Sequence, residues 1–184
     1  MKTRNNKHFF NKTRKNKRFE KCYIFVYGAL MNSCIRKKTL NSKIVIKPSI
    51  LLKKFGYKRC LCVEDKQKNE IYFGIKKSSQ NTDINGILIK INNQHMLNKL
   101  IKREIHYYLK KIPNQYIFTE NNYITNNDKI YTFVPYLKYI TRNKNIHTYD
   151  NVKDYTEKVM IGYQSISDNF LKRFINTTDN FLRI

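Results

Sequence analysis

The sequence lacks any apolar run approaching the roughly 20 residues that a membrane-spanning helix requires. Its first twenty residues, MKTRNNKHFFNKTRKNKRFE, also lack the apolar core of a secretory signal peptide. These two absences argue against an integral membrane protein and against secretion. Tryptophan is missing too, but 14 Tyr, 11 Phe and a hydrophobic content of 41% provide enough apolar material for a folded core.

Acidic residues are scarce. The chain has 13 Asp+Glu against 37 Lys+Arg, which gives a formal net charge of +24. Residues 1–21 carry nine of the bases and one acid, so the remainder still has a net charge of +16. Such a field favours nucleic acid or other polyanions and steers small anionic substrates. The alternative is AT-rich coding, because Lys, Asn and Ile are all abundant and would raise the charge without functional meaning.

Residues 1–21 are predicted to form a flexible basic N-terminal arm. Two interpretations stay open for this arm. Its many bases and late first acid resemble a mitochondrial presequence. A run of like charges is equally typical of a tail that binds RNA or another polyanion.

Metal-ligand spacing is absent from the cysteines and histidines. No CxxC pair occurs, and Cys60 and Cys62 share one face of a predicted strand, which is a poor tetrahedral zinc geometry without further ligands. The four histidines do not cluster with the cysteines at metal-ligand spacing. We therefore predict no metal site and reduced thiols in an intracellular, reducing compartment, the cytoplasm or alternatively the mitochondrion.

The apolar pattern predicts an α+β protein. Strands are expected at about 22–27, 55–63, 71–77, 87–91, 105–110 and 130–134, and helices at about 33–40, 92–103 and in two segments after residue 139. Strands with few helices, closed by a helical tail, favour a curled mixed sheet or barrel of about six or seven strands. The predicted division is the arm at 1–21, a domain at 22–140, and a C-terminal helical extension at 141–184 packed on it.

The segment Cys22 to Leu40 organises the chain. An apolar run stops abruptly at Tyr27-Gly28-Ala29-Leu30, which is typical of a buried strand entering a tight turn. Backbone NH groups at such a turn can hold an anionic or carbonyl oxygen. Taken alone, a turn of this kind is more often a simple connection.

Three stretches in order carry a resemblance: Tyr27-Gly28-Ala29-Leu30, then NGILIKI at 85–91, then LIKREIHY at 100–107. Together they resemble the γ-glutamylcyclotransferase superfamily, which has a YGSL-like loop, an NGxLFxV strand and an LDxxExxY segment. The resemblance covers about residues 22–178. It implies an enzyme that cyclises a γ-glutamyl group to 5-oxoproline and releases an amine, amino acid or peptide, as in glutathione metabolism.

The resemblance also implies roles for individual residues. Glu104 matches the catalytic general acid/base, and residues 27–30 match the substrate-binding loop. Tyr107 matches a tyrosine near the site, and Arg59, or Arg36, is a candidate for the substrate carboxylate. No metal or organic cofactor is implied, since cyclisation is intramolecular. Ala29 stands where Ser is common, and Ile101 where an acid is frequent, which makes the predicted site more basic.

A second hypothesis belongs to another functional class. The same fold could serve as a catalytically inactive, basic structural or interaction subunit of a ribonucleoprotein or organellar assembly. The arm and the basic body favour it, because neither is needed to bind a small γ-glutamyl substrate. It predicts a nucleic-acid affinity that falls steeply with salt. A third hypothesis is a binding module that keeps the pocket without turnover.

Overall fold

A computed structural model of the protein describes residues 19–20, 22–40, 44–120, 124–143, 145–179 and 181. Nearly all of the predicted arm, residues 1–18 and 21, lies outside the described residues. The boundaries of that arm and the division near residue 140 stay predictions. Among the described residues, no helix is both long and apolar enough to cross a membrane.

Nine strands and four α-helices follow one another along the described chain. The strands are β1 (Cys22–Val26), β2 (Ile46–Leu51), β3 (Tyr57–Asp65), β4 (Glu70–Lys77), β5 (Ile84–Ile91), β6 (Tyr107–Ile112), β7 (Ile117–Phe118), β8 (Lys129–Pro135) and β9 (Thr178–Asp179). The helices are α1 (Ser33–Leu40), α2 (Gln94–Arg103), α3 (Val152–Gln164) and α4 (Asp168–Asn176).

The strands form two sheets. The larger sheet has six strands in the order β6-β8-β1-β5-β2-β7, and the smaller has the order β4-β3-β9. In the larger sheet only the β1 and β8 pair is parallel, so the sheet is mixed. The sheet is curled into a half-barrel with helices beside it. This confirms the predicted α+β class with a curled mixed sheet.

The centre of the larger sheet is the most apolar part of the chain. In β5 every residue except Lys90 is buried, which explains why its sequence shows no alternation. Gly86 in β5 is required by close packing, since a Cβ there would lie 2.3 Å from the Val26 carbonyl oxygen. A glycine at the start of a strand predicts such a close approach of two backbones, and the structure confirms it. β5 thereby holds β1 and the turn that follows β1.

Pro48, between the apolar runs 44–46 and 50–52, predicts the end or the edge of a strand, because proline has no NH to donate to a neighbouring strand. The strand β2 runs through Pro48, which pairs with Ile87 of β5. On the other side of β2, the short strand β7 pairs only with Ile50 and Leu51. Pro48 therefore lies at an outer part of the sheet, where a proline is tolerated.

Side-chain caps set the starts of three helices. The sequence predicts a cap of α1 at Asn32 or Ser33, and the amide oxygen of Asn32 accepts from the NH of Cys34 at 2.9 Å. Asn93 caps α2, and Ser167 caps α4, where the sequence also predicts a cap. The glycine at 162 predicts a helix end nearby, which is confirmed to within two residues because α3 ends at Gln164. Gly162 is also a packing residue.

The cysteines depart from the prediction of reduced thiols. Cys60 and Cys62 of β3 form a disulfide, whereas Cys22 and Cys34 are free. The pairing of β3 with β4 shifts register between Leu61 and Val63. This irregularity lies at Cys62, and the two cysteine Cα atoms are 5.4 Å apart, within the usual range for a disulfide. The prediction is therefore wrong for this pair.

Candidate active site

A cleft of about 340 Å3 opens beside the end of β1. Four parts of the chain form its walls: the β1 end with the following turn, the β3–β4 hairpin, the segment between α2 and β6, and the start of α3. The polar side chains that line it, tyrosines included, are Tyr27, Asp65, Lys68, Glu70, Tyr72, Arg103, Glu104, His106, Tyr107, Asn151, Asp154, Tyr155 and Lys158.

The first wall is the turn at residues 27–30. After β1 ends at Val26, a short 3-10 helix spans Ala29–Met31, and the NH of Met31 donates to the Gly28 carbonyl at 2.8 Å. The NH groups of Gly28 and Leu30 donate to no acceptor in the described part of the chain. Both residues line the cleft. Free NH groups of this kind can bind a carboxylate or a developing oxyanion.

Three contacts hold this turn in place. Arg36 of α1 is buried and donates to the carbonyl oxygens of Leu30, at 2.8 Å, and Met31. Gly162 of α3 lies against Met31, where a Cβ would come within 2.5 Å of the backbone. Asn32 donates to the Lys158 carbonyl of α3 at 3.0 Å. The turn is therefore fastened to α1 and α3, which suits a rigid binding loop.

Glu104 supplies the carboxylate of the cleft. It follows α2 as the C-terminal cap, with its NH donating to the Leu100 carbonyl at 3.0 Å. Its side chain is only 16% exposed, and burial raises the pKa of its carboxyl above the ordinary value. Arg103 contacts the carboxylate and lowers the pKa, so it opposes part of the effect of burial. A carboxyl whose pKa is raised holds a proton more readily than an ordinary glutamate, which suits a group that takes a proton and returns it.

Two buried tyrosines near Glu104 contact the β4 wall. The Tyr107 hydroxyl donates to the Phe73 carbonyl at 2.8 Å, and the Phe73 NH donates to the Tyr155 hydroxyl at 3.2 Å. Burial raises the pKa of both phenols, and the charge of Glu104 raises it further. Both tyrosines are therefore neutral hydroxyls at neutral pH.

Tyr155 was not predicted as a site residue. The apolar spacing of Tyr155, Val159 and Met160 predicts a helix over this segment, and α3 is that helix. Asn151, one turn earlier, bonds both the NH and the carbonyl of Ile71, at 2.8 and 2.9 Å. Asn151 and Tyr155 thus fix α3 to β4 and bring Tyr155 to the turn, where a Cβ on Gly28 would lie 3.3 Å from its hydroxyl. No local sequence signal marks that contact.

The part of the cleft beside the β3–β4 hairpin carries charges of both signs. His106 Nε2 lies 3.7 Å from the Asp65 carboxylate, and Tyr72 donates to Glu70. Burial lowers the pKa of His106, and Asp65 opposes this effect. Four carboxylates and three Lys or Arg side chains line the whole cleft. Since the chain has 13 acids against 37 Lys+Arg, the cleft concentrates the scarce acids and can bind an ammonium group.

Solved structures with the same architecture place this cleft in context. An uncharacterised human protein, loc79017, is 12% identical, and the match covers 90% of this chain and 94% of that one at a TM-score of 0.61. A gamma-glutamyl cyclotransferase is 12% identical over 84% of this chain and 86% of its own, at a TM-score of 0.59. A yeast gamma-glutamyl cyclotransferase specific to glutathione is 11% identical. That match covers 85% of this chain and 95% of the yeast chain, at a TM-score of 0.57.

The chain has the γ-glutamylcyclotransferase-like fold. No protein-family model and no curated protein matches the sequence. At 11 to 12% identity, the likeness establishes the fold and leaves the activity to be tested.

Within this γ-glutamylcyclotransferase-like fold, most of the predicted site residues lie together. Glu104, Tyr107 and residues 27–30 all line the one cleft. The turn and Glu104 are separated by more than seventy residues in sequence, and it is the sheet pairing of β1 with β5 and β8 that brings them to one edge.

Arg59 does not lie in the cleft. Its side chain is fully buried, and its guanidinium donates to Thr178 at 2.7 Å, Asn85 at 2.8 Å and Tyr163 at 2.7 Å. It also stacks over the Phe174 ring at 4.4 Å. Because all of its nitrogens have partners within the core, we no longer expect Arg59 to bind a substrate carboxylate. Arg36 is likewise occupied, by backbone carbonyls of the turn.

Proposed function

We propose that this protein is a γ-glutamylcyclotransferase. It cyclises a γ-glutamyl group to 5-oxoproline and releases an amine, an amino acid or a peptide. One observation carries the proposal: the raised-pKa carboxyl of Glu104 and the free NH groups of Gly28 and Leu30 line the same cleft. A proton acceptor and a set of oxygen-binding donors are the two things that this reaction requires.

The reaction uses groups that the substrate brings to the cleft. Glu104 takes a proton from the α-ammonium of the γ-glutamyl group, and the freed amine attacks the γ-carbonyl carbon. A ring C–N bond forms, the carbonyl oxygen becomes an oxyanion, and the ring nitrogen is left positively charged with two hydrogens. The oxyanion reforms the carbonyl, and the C–N bond to the leaving group breaks as Glu104 returns its proton to the departing nitrogen. The ring nitrogen then gives its second proton, through water, to the released amine, so the products are the neutral lactam and an ammonium group. Atoms and charge balance with no outside reactant.

The turn serves the substrate oxygens through its backbone. The NH groups of Gly28 and Leu30 donate either to the developing oxyanion or to the α-carboxylate, so the identity of the Ala29 side chain matters little. Holding the amine and the carbonyl of one molecule in the folded, attacking geometry supplies much of the rate enhancement. The contacts from Arg36 and Gly162 keep the turn rigid for this purpose.

The leaving group occupies the part of the cleft that the β3–β4 hairpin lines. Asp65, Lys68 and Glu70 lie there, and His106 Nε2 is 3.7 Å from the Asp65 carboxylate. These groups suit a small polar leaving group, and the cleft volume of about 340 Å3 fits a γ-glutamyl amino acid, a γ-glutamyl amine or glutathione.

The test is turnover with a panel of substrates. Purified full-length protein is incubated with glutathione, several γ-glutamyl amino acids and a γ-glutamyl amine, and 5-oxoproline is measured by mass spectrometry. Incubations without protein give the rate of spontaneous cyclisation. Enzyme-dependent 5-oxoproline from at least one substrate is expected. The proposal is wrong if no member of the panel gives more 5-oxoproline than the blank.

A further inference from the structure

A second surface lies beside the cleft, around β6 and the segment that follows β8. Tyr107 lines the cleft, and strand alternation sends Tyr108 and Lys110 to the other face. We call this surface the aromatic–lysine face and define it by Phe55, Tyr108, Tyr116, Tyr136, Lys110 and Lys138. Its rings are half-buried, and both lysines retain exposed surface.

The rings of this face contact one another. Tyr108 and Tyr136 have ring centroids 5.4 Å apart. Phe55 lies 6.0 Å from Tyr116 and stacks at 4.8 Å on Tyr57, a buried tyrosine beneath the face. The Lys110 amine lies 5.9 Å from the centre of the Tyr57 ring, which links the two groups of rings.

The lysines of the face have no acidic partners. Lys138 stands 4.7 Å over the ring of Tyr139, and neither Lys110 nor Lys138 forms an ion pair within the described residues. Lys77 adds a further exposed amine, since it pairs across the sheet with Tyr57. The nearby acid Asp83, which accepts from the Lys53 NH, is already paired with Arg173.

We propose that the aromatic–lysine face binds single-stranded nucleic acid. Half-exposed rings offer surfaces on which unpaired bases stack, and unpaired amines beside them attract the phosphates. This combination is the one that single-strand binding proteins use without reading sequence. The net charge of +24 adds a long-range attraction for the same partner.

Charge argues against a second copy of the chain as the occupant. The outer strand β6 presents Lys110 and Lys111, and an equally basic partner would bring like charges together. A polyanion removes that repulsion. The exposed rings, on which bases can stack, distinguish this proposal from attraction of any polyanion by the lysines alone.

Fluorescence anisotropy tests the proposal with the full chain and without any γ-glutamyl substrate. The probes are labelled oligo(U) and oligo(dT) of about 20 nucleotides, the matching duplex, and heparin as a competitor that has charge but no bases. Single strands should bind at about 0.15 M salt, with an affinity that falls as salt rises by a slope of about −0.7 for each phosphate neutralised. The preferred probe tells whether RNA or DNA is the better ligand.

Two matched pairs of variants separate this face from general basicity. The double variant Lys110→Ser, Lys138→Ser should weaken binding several-fold more than the control double variant Lys37→Ser, Lys38→Ser. The control removes the same charge from the exposed side of α1. Tyr108→Leu with Tyr136→Leu keeps apolar bulk but removes stacking, and should weaken single-strand binding at least about fivefold. Circular dichroism checks that each variant is folded.

Three results would overturn the proposal. The first is no single-strand binding at that salt concentration. The second is equal binding of the duplex and heparin with no effect of the tyrosine replacements, which would mean attraction by charge alone. The third is a concentration-dependent dimer that the lysine replacements on the face disrupt. None of these results bears on 5-oxoproline formation, so this inference and the proposed enzyme function fail independently.

Discussion

The hydroxyl of Tyr163 lies 2.9 Å from the carbonyl oxygen of Tyr27. The same hydroxyl lies 2.9 Å from the Asn85 carbonyl and accepts from Arg59 at 2.7 Å. The peptide that carries the Gly28 NH is thereby tied to the buried core of α3 and β5. Two residues outside the cleft, Arg59 and Gly162, therefore control the position of the turn.

Arg59→Lys should destabilise the protein. A lysine cannot reproduce the forked contacts, so buried acceptors at Asn85 and Thr178 lose partners, at a cost on the order of 3 kcal/mol. Urea unfolding measures the loss. Arg142→Lys, at an exposed position, is the control and should change little. Unchanged stability with a raised KM would instead mean that Arg59 binds substrate.

Gly162→Ala should also be unfavourable, against the intrinsic preference of helices for alanine. The new Cβ would lie 2.6 Å from the Asn32 nitrogen, so the helix or the turn has to move. We expect a loss of roughly 1–3 kcal/mol in urea unfolding together with reduced turnover. Ile161→Ala, on the exposed side of the same helix, controls for the helix itself. A stabilised and fully active Gly162→Ala would contradict this packing.

The pH dependence of activity should respond to Arg103. Arg103 lowers the pKa of Glu104, so Arg103→Gln raises it. Because the general base must be ionised in the free enzyme, the acidic limb of the kcat/KM profile should move to higher pH. Lys102→Gln, the exposed neighbour, should leave the limb in place. A limb that stays fixed or moves to lower pH in Arg103→Gln would contradict the assignment of that limb to Glu104.

Glu104 should cost stability at neutral pH. Its pKa is higher in the folded than in the unfolded protein, so its contribution to stability is fully present below the unfolded pKa and is lost as pH rises through the folded pKa. Glu104→Gln should therefore melt at a higher temperature than the wild type at pH ~7, with the difference shrinking toward pH ~4. Thermal melts across this range measure it. A variant that is less stable at neutral pH would show that the contact with Arg103 outweighs burial.

Local patterns in the sequence predict the elements that carry their own signals. The apolar runs of β1 and β5, the glycine at 86 and the caps Asn32 and Ser167 all depend on residues close in sequence, and the structure confirms them. The motif match predicts that Glu104 and the turn at residues 27–30 act together, and both line one cleft.

Long-range packing accounts for what the sequence does not predict. The glycine at 162 predicts the end of α3 to within two residues, but no local signal marks its contact with the backbone of Met31. Tyr155 reaches the cleft through contacts with β4, about 80 residues earlier in the chain. Arg59 is predicted to bind the substrate carboxylate, yet it is the largest fully buried side chain described. In each case the deciding partner is distant in sequence.

The central claim is that Glu104 is the proton-transferring group of a γ-glutamyl cyclisation. The most direct measurement compares 5-oxoproline formation by the wild type, Glu104→Gln and Glu157→Gln, the last making the same change at an exposed glutamate of α3. We predict that Glu104→Gln lowers kcat at least about a hundredfold while remaining folded, and that Glu157→Gln keeps wild-type activity. A folded Glu104→Gln with full activity would contradict the account.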